Sequence, residues 1–201
     1  MTTERPTTDT RPGSRERLIT AAVELFSRQG YEATGVKEIA AAGSAPMGSF
    51  YFHFPGGKED LGVAALARGA EGFAAVLRRI LASVEPVEEA LAACAQWLAD
   101  DLPASDWADG CPVATTALES VVRSQPLRAA AAAAFDEWEG AVRDRLTTAG
   151  MAPPLAGEVA ASAVALLEGA EMLARVRADP APLYHAAASL RTLTRAAMER
   201  S

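Results

Sequence analysis

Five consecutive ring side chains, Phe50-Tyr51-Phe52-His53-Phe54, stand just before Pro55-Gly56-Gly57 and Lys58. The hydroxyl of Tyr51, the imidazole of His53 and the ammonium of Lys58 are donors of the kind that bind phosphate oxygens. A lysine at the first position of a helix adds its charge to the free backbone N–H groups there. Phe50 and Phe54 are four residues apart, share a helical face and can close a small core. Taken alone, such a cluster is ordinary core packing; the elements around it decide otherwise. Other chemistry is poorly supplied. His53 and His185 are the only histidines, and neither stands near Cys111 in sequence. A His-based nucleophilic mechanism is therefore not expected, no catalytic residue is assigned, and the same shortage argues against a zinc site or any metal cofactor. Cys94 and Cys111 form no CxxC pair and read as reduced thiols of a cytoplasmic protein.

These donors need elements to position them. "MTTERPTTDTRPGS" has charges, Thr and Pro but no apolar stretch, so residues 1–13 read as a disordered arm and not a signal peptide. Ser14 is the expected cap of a first helix with an apolar stripe through Leu18, Ala22, Leu25 and Phe26, stopped by Gly30. Thr34 is the expected cap of a short second helix. Gly43-Ser44 makes a tight turn, and Pro46 suits the first turn of a third helix. Three helices with a tight turn before the last form a helix-turn-helix over residues 14–57. In that motif the second helix of the pair enters the major groove with its N-terminal residues toward base edges. Ala45, Pro46, Met47, Gly48 and Ser49 are thereby placed at the groove, with Tyr51, His53, Lys58 and Thr34 at flanking phosphates.

Residues 58–201 read as a helical body. A helix of about 24 residues starts at Lys58, and others are expected at 87–101, 113–124, 127–149, 155–177 and 183–199, with prolines at their boundaries. No period-two strand and no repeat is found, so the chain is expected to be all-α with about nine helices. Phe73, Trp97, Trp107, Phe135 and Trp138 are each as consistent with plain core as with a site. As a set, with Cys111 and Pro112 opening a helix that lines the interior, they are candidates for an aromatic-lined ligand pocket. Glu168 and Glu171 interrupt an apolar helix; they can pair with Arg175, face a second subunit or point at a ligand, and Glu171 is counted among the ligand candidates. The last two helices, rich in Ala and Leu, are expected to pair with their copies in a four-helix homodimer interface, using residues such as Val159, Leu166, Leu183, Leu190 and Leu193.

Half of the 201 residues are apolar, 22% are charged and mean hydropathy is near zero, which fits a globular chain. Net charge is −7, but residues 1–58 hold 7 basic and 6 acidic side chains against 12 and 20 in the remainder. A near-neutral head on an acidic body is compatible with nucleic-acid binding by the head alone. No apolar run approaches the roughly 18 residues of a membrane span.

"RERLITAAVELFSRQGYEATGVKEIA" and "GSFYFHFPGGKEDL" resemble the DNA-binding domain of TetR-family transcriptional regulators. Phe26, Gly30, Tyr31, Thr34, Ile39-Ala40, Gly48, Tyr51, His53-Phe54 and Lys58 match that family's pattern. "PGGKE", "GCPVATTALES" and "LLEGAEMLARVRADP" are similar to one branch, the LmrA/YxaF-like regulators. The resemblance implies a homodimeric repressor on a palindromic double-stranded operator, with a small apolar or aromatic inducer in the C-terminal domain; the branch is associated with flavonoid-type and antibiotic-type ligands. Three positions depart from the pattern. Ser44 stands at the usual turn glycine, Phe52 removes a phosphate donor, and Met47 replaces a hydrogen-bonding reader, which shifts readout toward thymine methyls and DNA shape. The alternatives are a helical interaction module that does not bind DNA, and a helical enzyme acting on small aromatic compounds. DNA binding separates the first from the regulator; turnover without DNA would favour the second.

Overall fold

The computed structural model describes residues 12–120 and 122–201, so nearly all of the expected arm lies outside the described residues. Among them are nine α-helices, one 3-10 turn and no strand. The helices are α1 (Ser14–Gln29), α2 (Val36–Ala42), α3 (Met47–His53), α4 (Lys58–Ser83), α5 (Val87–Asp101), α6 (Pro112–Ser120), α7 (Gln125–Thr148), α8 (Pro153–Arg177) and α9 (Ala181–Met198). Prolines lie in the first turns of α7, α8 and α9, where the missing N–H costs nothing. Glu59 and Asp60, and Glu88 and Glu89, place negative charge at the N-termini of α4 and α5, as the helix dipole favours.

Leu18, Ala22 and Phe26 of α1 meet Ile39 of α2, Phe50 of α3, Phe54 just after it, and Leu61 and Ala65 of α4 in one buried cluster. The first two turns of α4 therefore complete the small head core. From Leu66 onward α4 belongs to the larger core of the body, where it packs on α7 while α5 packs on α9 and α8 lies against both α7 and α9. One unbroken helix is thus a structural member of both cores.

Several local expectations are corrected. Ser14 is the first residue of α1, not its cap; its hydroxyl turns toward α3. The residue before α2 is Gly35, and Thr34 does not cap it: its hydroxyl donates to Gly30 O at 2.6 Å. α6 ends at Ser120, before Ser124, because Ser124 is extended and its Oγ accepts the Leu127 N–H as the N-cap of α7. Val159, Leu183 and Leu190 fill the subunit's own core and are not free for a partner. The outward side of α8 and α9 instead carries Ala161, Ala165, Met172, Val176, Tyr184, Ala188 and Leu193.

The turn between α2 and α3 is closed by Ser44 in the left-handed region, φ +48°. Arg17 of α1 clamps it, donating to Gly43 O (2.9 Å), Ser44 O (3.1 Å) and Pro12 O (2.7 Å). Side-chain hydrogen bonds hold here a conformation that glycine would adopt without strain.

Candidate functional site

α3 presents Pro46, Gly48, Tyr51 and Phe52 to solvent, with Ala45, Met47, Ser49 and His53 half-buried beside them. Phe52 is 80% exposed and Tyr51 55%, a placement that a packing role does not explain. Phe50 lies beneath, edge-on to Tyr51 and tilted against Phe54 at 5.8 Å, so the inner rings are the platform for the outer ones. Ser49 Oγ donates to Ser14 Oγ at 2.9 Å, and Ser14 Oγ lies 2.8 Å from His53 Nε2. This chain fixes α3 to the start of α1, so Ser49 and His53 are oriented by the head itself.

Two of the phosphate candidates are placed differently from expectation. Thr34 is 1% exposed, and its hydroxyl donates to Gly30 O while accepting from Gln29. It shapes the loop before α2 and offers nothing to a phosphate. Lys58 does open α4, but its ammonium sits 4.1 Å from the Tyr31 ring centre and donates to Glu32 O. Partial burial pulls its pKa below the ordinary lysine value, opposed by Glu32 and Glu119.

In the body two adjoining chambers lie around the start of α6 and the middle of α8. The outer, about 670 Å³, is walled by Trp107, Ala114, Leu118, Met172 and Val176. The inner, about 140 Å³, is walled by Phe73, Trp97 and Trp138. Cys111, Glu168 and Glu171 line both. Of the aromatic candidates, Phe73, Trp97, Trp107 and Trp138 reach the chambers. Phe135 does not: it packs edge-on against the far side of Trp138, 5.3 Å away. Trp138 is itself held by its indole N–H on Ala70 O at 3.0 Å. Met172 and Arg175 were not among the expected ligand contacts, and Glu168 was so only as one of three alternatives, although their spacing of four and three puts them on one face of α8 with Glu171. Thr115 and Leu118 on α6 carried no sequence signal at all.

Burial pushes the Glu168 carboxyl up to about 7, helped by the nearby charge of Glu171, and raises Glu171 for the same reason. Burial lifts the Cys111 thiol well above its ordinary value, and Cys94 to about 12, so neither is a ready thiolate. No group of three or more His, Cys, Asp or Glu placed to hold a metal ion occurs among the described residues.

The chamber wall is tied to the head. Arg175 donates from Nη2 to Ala108 O (2.7 Å) and to Ser27 O near the end of α1 (3.4 Å), and from Nε to Trp107 O (3.3 Å). The Gly110 N–H also donates to Ser27 O, and Arg28 pairs with Asp109 at 2.8 Å. A side chain at position 110 would meet the Arg175 guanidinium and displace it. Glu119, on the outer chamber, accepts the Glu32 N–H beside Gly30. The segment from Trp107 to Cys111 thus touches the chambers on one side and α1 on the other.

A helix-turn-helix head on a hollow helical body is the architecture of one large class of regulators, and sequence comparison agrees. Residues 18–65 match the family model described as bacterial regulatory proteins, tetR family, and the chain belongs to that family of transcriptional regulators. Residues 86–189 match the model for the C-terminal domain of LmrA/YxaF-like transcriptional regulators, which places the chain in that branch. The HTH-type transcriptional regulator LmrA of Bacillus subtilis (strain 168) is 32% identical over 172 residues, covering 86% of this chain and 92% of LmrA. YxaF of the same organism is 30% identical over 185 residues, covering 92% and 97%. The crystal structure of regulatory protein TetR from Rhodobacter sphaeroides superposes with a TM-score of 0.79 at 23% identity over 90% of this chain and 98% of that one. Regulators of this family bind operator DNA, dimerise and bind small-molecule ligands.

Proposed function

We propose that the protein is a cytoplasmic homodimeric repressor that leaves a palindromic operator when an apolar or aromatic small molecule enters the chambers beside α6 and α8. The observation that carries this reading is the double attachment of the segment Trp107–Cys111, to the chamber on one face and to Ser27 and Arg28 of α1 on the other. A ligand that displaces Trp107 or Arg175 acts on the head directly, besides any tilt of α4, whose 26 residues span about 39 Å from the DNA side, with Phe73 about 22 Å along it. In a dimer, either movement changes the separation of two recognition helices that must fit half-sites about 34 Å apart.

The proposed DNA surface comprises Ala45, Pro46, Met47 and Gly48 at base edges, with Tyr51, Phe52 and the oriented pair Ser49 and His53 around them. Lys58 reaches a phosphate by leaving the Tyr31 ring. Lys58→Met keeps an apolar stem on Tyr31 while removing the charge, and should lower the salt slope of operator binding by about one unit. An unchanged slope would leave Lys58 as a strut of the head only.

The direct experiment is a shift assay on DNA flanking the protein's own gene, repeated with aromatic compounds. Release by a compound, together with an equal loss of that compound's affinity when operator is present, is the expected reciprocal result. Ala114→Trp, which fills the outer chamber, should abolish release and spare DNA binding. Ala70 and Ala74 do not serve, because both are buried in the core. Failure to bind any DNA in that region would favour the interaction-module reading.

A further inference from the structure

The two chambers are mostly apolar, and the wall they share, Cys111, Glu168 and Glu171, is acidic. Glu171 is 7% exposed and faces the Cys111 backbone N–H; Glu168 faces the Cys111 thiol. Neither carboxylate is in an ion pair among the described residues. The other charged groups that face this wall are Asp101 at the end of α5, Asp109 in the following connection, Glu119 on α6 and Arg175 on α8. Asp109 is already paired with Arg28, and Glu119 accepts from Glu32. The one cation, Arg175, directs its hydrogen bonds to the carbonyls of Trp107, Ala108 and Ser27 and to no carboxylate. From Glu59 to the C-terminus the sequence contains no lysine that could serve instead. A neutral aromatic molecule filling this space would strip the remaining water from two carboxylates and return no charge, which is unfavourable. A positive group would compensate both, and the faces of Trp107 and Trp97 on either side suit a cation as well as an apolar ring.

We infer that the cognate ligand is an organic cation, an aromatic body carrying a protonated amine whose nitrogen lies at the dividing wall between Glu168 and Glu171. This rests on the reading of the chambers as the ligand site. It specifies the ligand: the aromatic part occupies the outer chamber against Trp107 and Met172, and the ammonium stands at the neck to the inner one. Glu168, with its carboxyl raised to about 7, gives up a proton when such a ligand binds below that pH. Affinity for the cation therefore rises from acid toward neutral pH, until the amine itself loses its proton.

The test uses a matched pair of probes, biphenyl-4-ylmethylamine and biphenyl-4-ylmethanol, titrated calorimetrically into the full chain without DNA. At about pH 7.5 the amine should bind about tenfold more tightly than the alcohol. Between about pH 8 and about pH 5.5 that preference should shrink several-fold, the amine losing affinity as Glu168 takes up a proton while the alcohol's affinity holds or rises. Glu168→Gln and Glu171→Gln, each checked for helix content and for operator binding, should each erase most of the preference, by weakening the amine and not by loss of the alcohol's binding. Equal binding of the two probes to the unaltered chain overturns the cation and leaves the chambers standing as an apolar ligand site. A preference that survives both substitutions overturns the assignment to this pair of carboxylates. Binding of neither probe up to about millimolar concentration overturns the chambers as a ligand site and the inference with them.

Discussion

Two residues are held in states that their chemistry disfavours, and each yields a measurable consequence. Ser44 adopts φ +48°, a conformation in which a Cβ crowds the backbone. Ser44→Gly removes that strain at some cost in chain entropy, and should stabilise the protein by about 0.5–1 kcal/mol, or a rise of about 2–4 °C in thermal midpoint. A fall in midpoint would mean that the Arg17 clamp, and not the strain, dominates the turn. Glu168 carries a carboxyl raised to about 7 from an ordinary 4.5. A raised acid favours folding fully below its unfolded value and loses that contribution as pH climbs through its folded value. The free protein should accordingly lose about 3 kcal/mol of stability from this group between about pH 4.5 and above pH 7. Glu168→Gln should flatten that part of the stability profile and raise the denaturation midpoint at about pH 8. An identical profile in the variant would show that the carboxylate is solvated and costs the fold nothing.

At the scale of elements, the connection between α5 and α6 joins the chamber wall to α1. It runs through Asp106 and Trp107, both left-handed, and reaches Ser27 through Gly110. Gly110→Ala places a methyl where the Arg175 guanidinium now lies and should push Arg175 off Ala108 and Ser27. The expected outcome is retained operator binding with a ratio of affinities, with and without inducer, reduced to about a third or less of the original. Measuring that ratio by fluorescence anisotropy of labelled operator decides the matter. An unchanged ratio would place the coupling in α4 alone.

For the whole molecule, the unpartnered face is the one to follow. α8 and α9 leave Ala161, Ala165, Tyr184, Ala188 and Leu193 turned outward, with Met172 and Val176 at the rim of the outer chamber beside them, small side chains flanked by large apolar ones. Such a face permits close helix approach, and a two-fold pairing of it gives the four-helix interface that a palindromic operator requires. Val176 is 81% exposed in the single chain, which a monomer has no reason to maintain. Ala165→Arg should convert a species of about 42 kDa, two copies of a 21.0 kDa chain, into one copy by sedimentation at micromolar concentration, and should weaken operator binding by about a hundredfold or more. A monomer already present in the unaltered chain at that concentration would count against this face.

The sequence by itself determined the all-helical class, the placement of most helices and the recognition helix. These are local properties: Ala-rich composition, proline and glycine at boundaries, and a fixed spacing from Phe26 through Gly30 to Lys58 are written in neighbouring residues. It also singled out Phe73, Trp97, Trp107, Trp138, Cys111 and Glu171, all of which line the two chambers, because large flat side chains in an Ala-rich body have few other places to leave space. Tertiary structure alone decided the rest. That Thr34 turns inward, that Phe135 lies behind Trp138, and that Val159, Leu183 and Leu190 belong to the subunit core depends on which way each helix is rotated against its neighbours. Periodicity identifies an apolar stripe but cannot say which of two apolar partners the stripe will face. The bond from Arg175 to Ser27 joins residues 148 positions apart, and the opposition of Trp107, Glu168 and Met172 across a chamber joins two distant segments. Contacts of that range exist only once the helices have packed, because no interaction between adjacent residues encodes them.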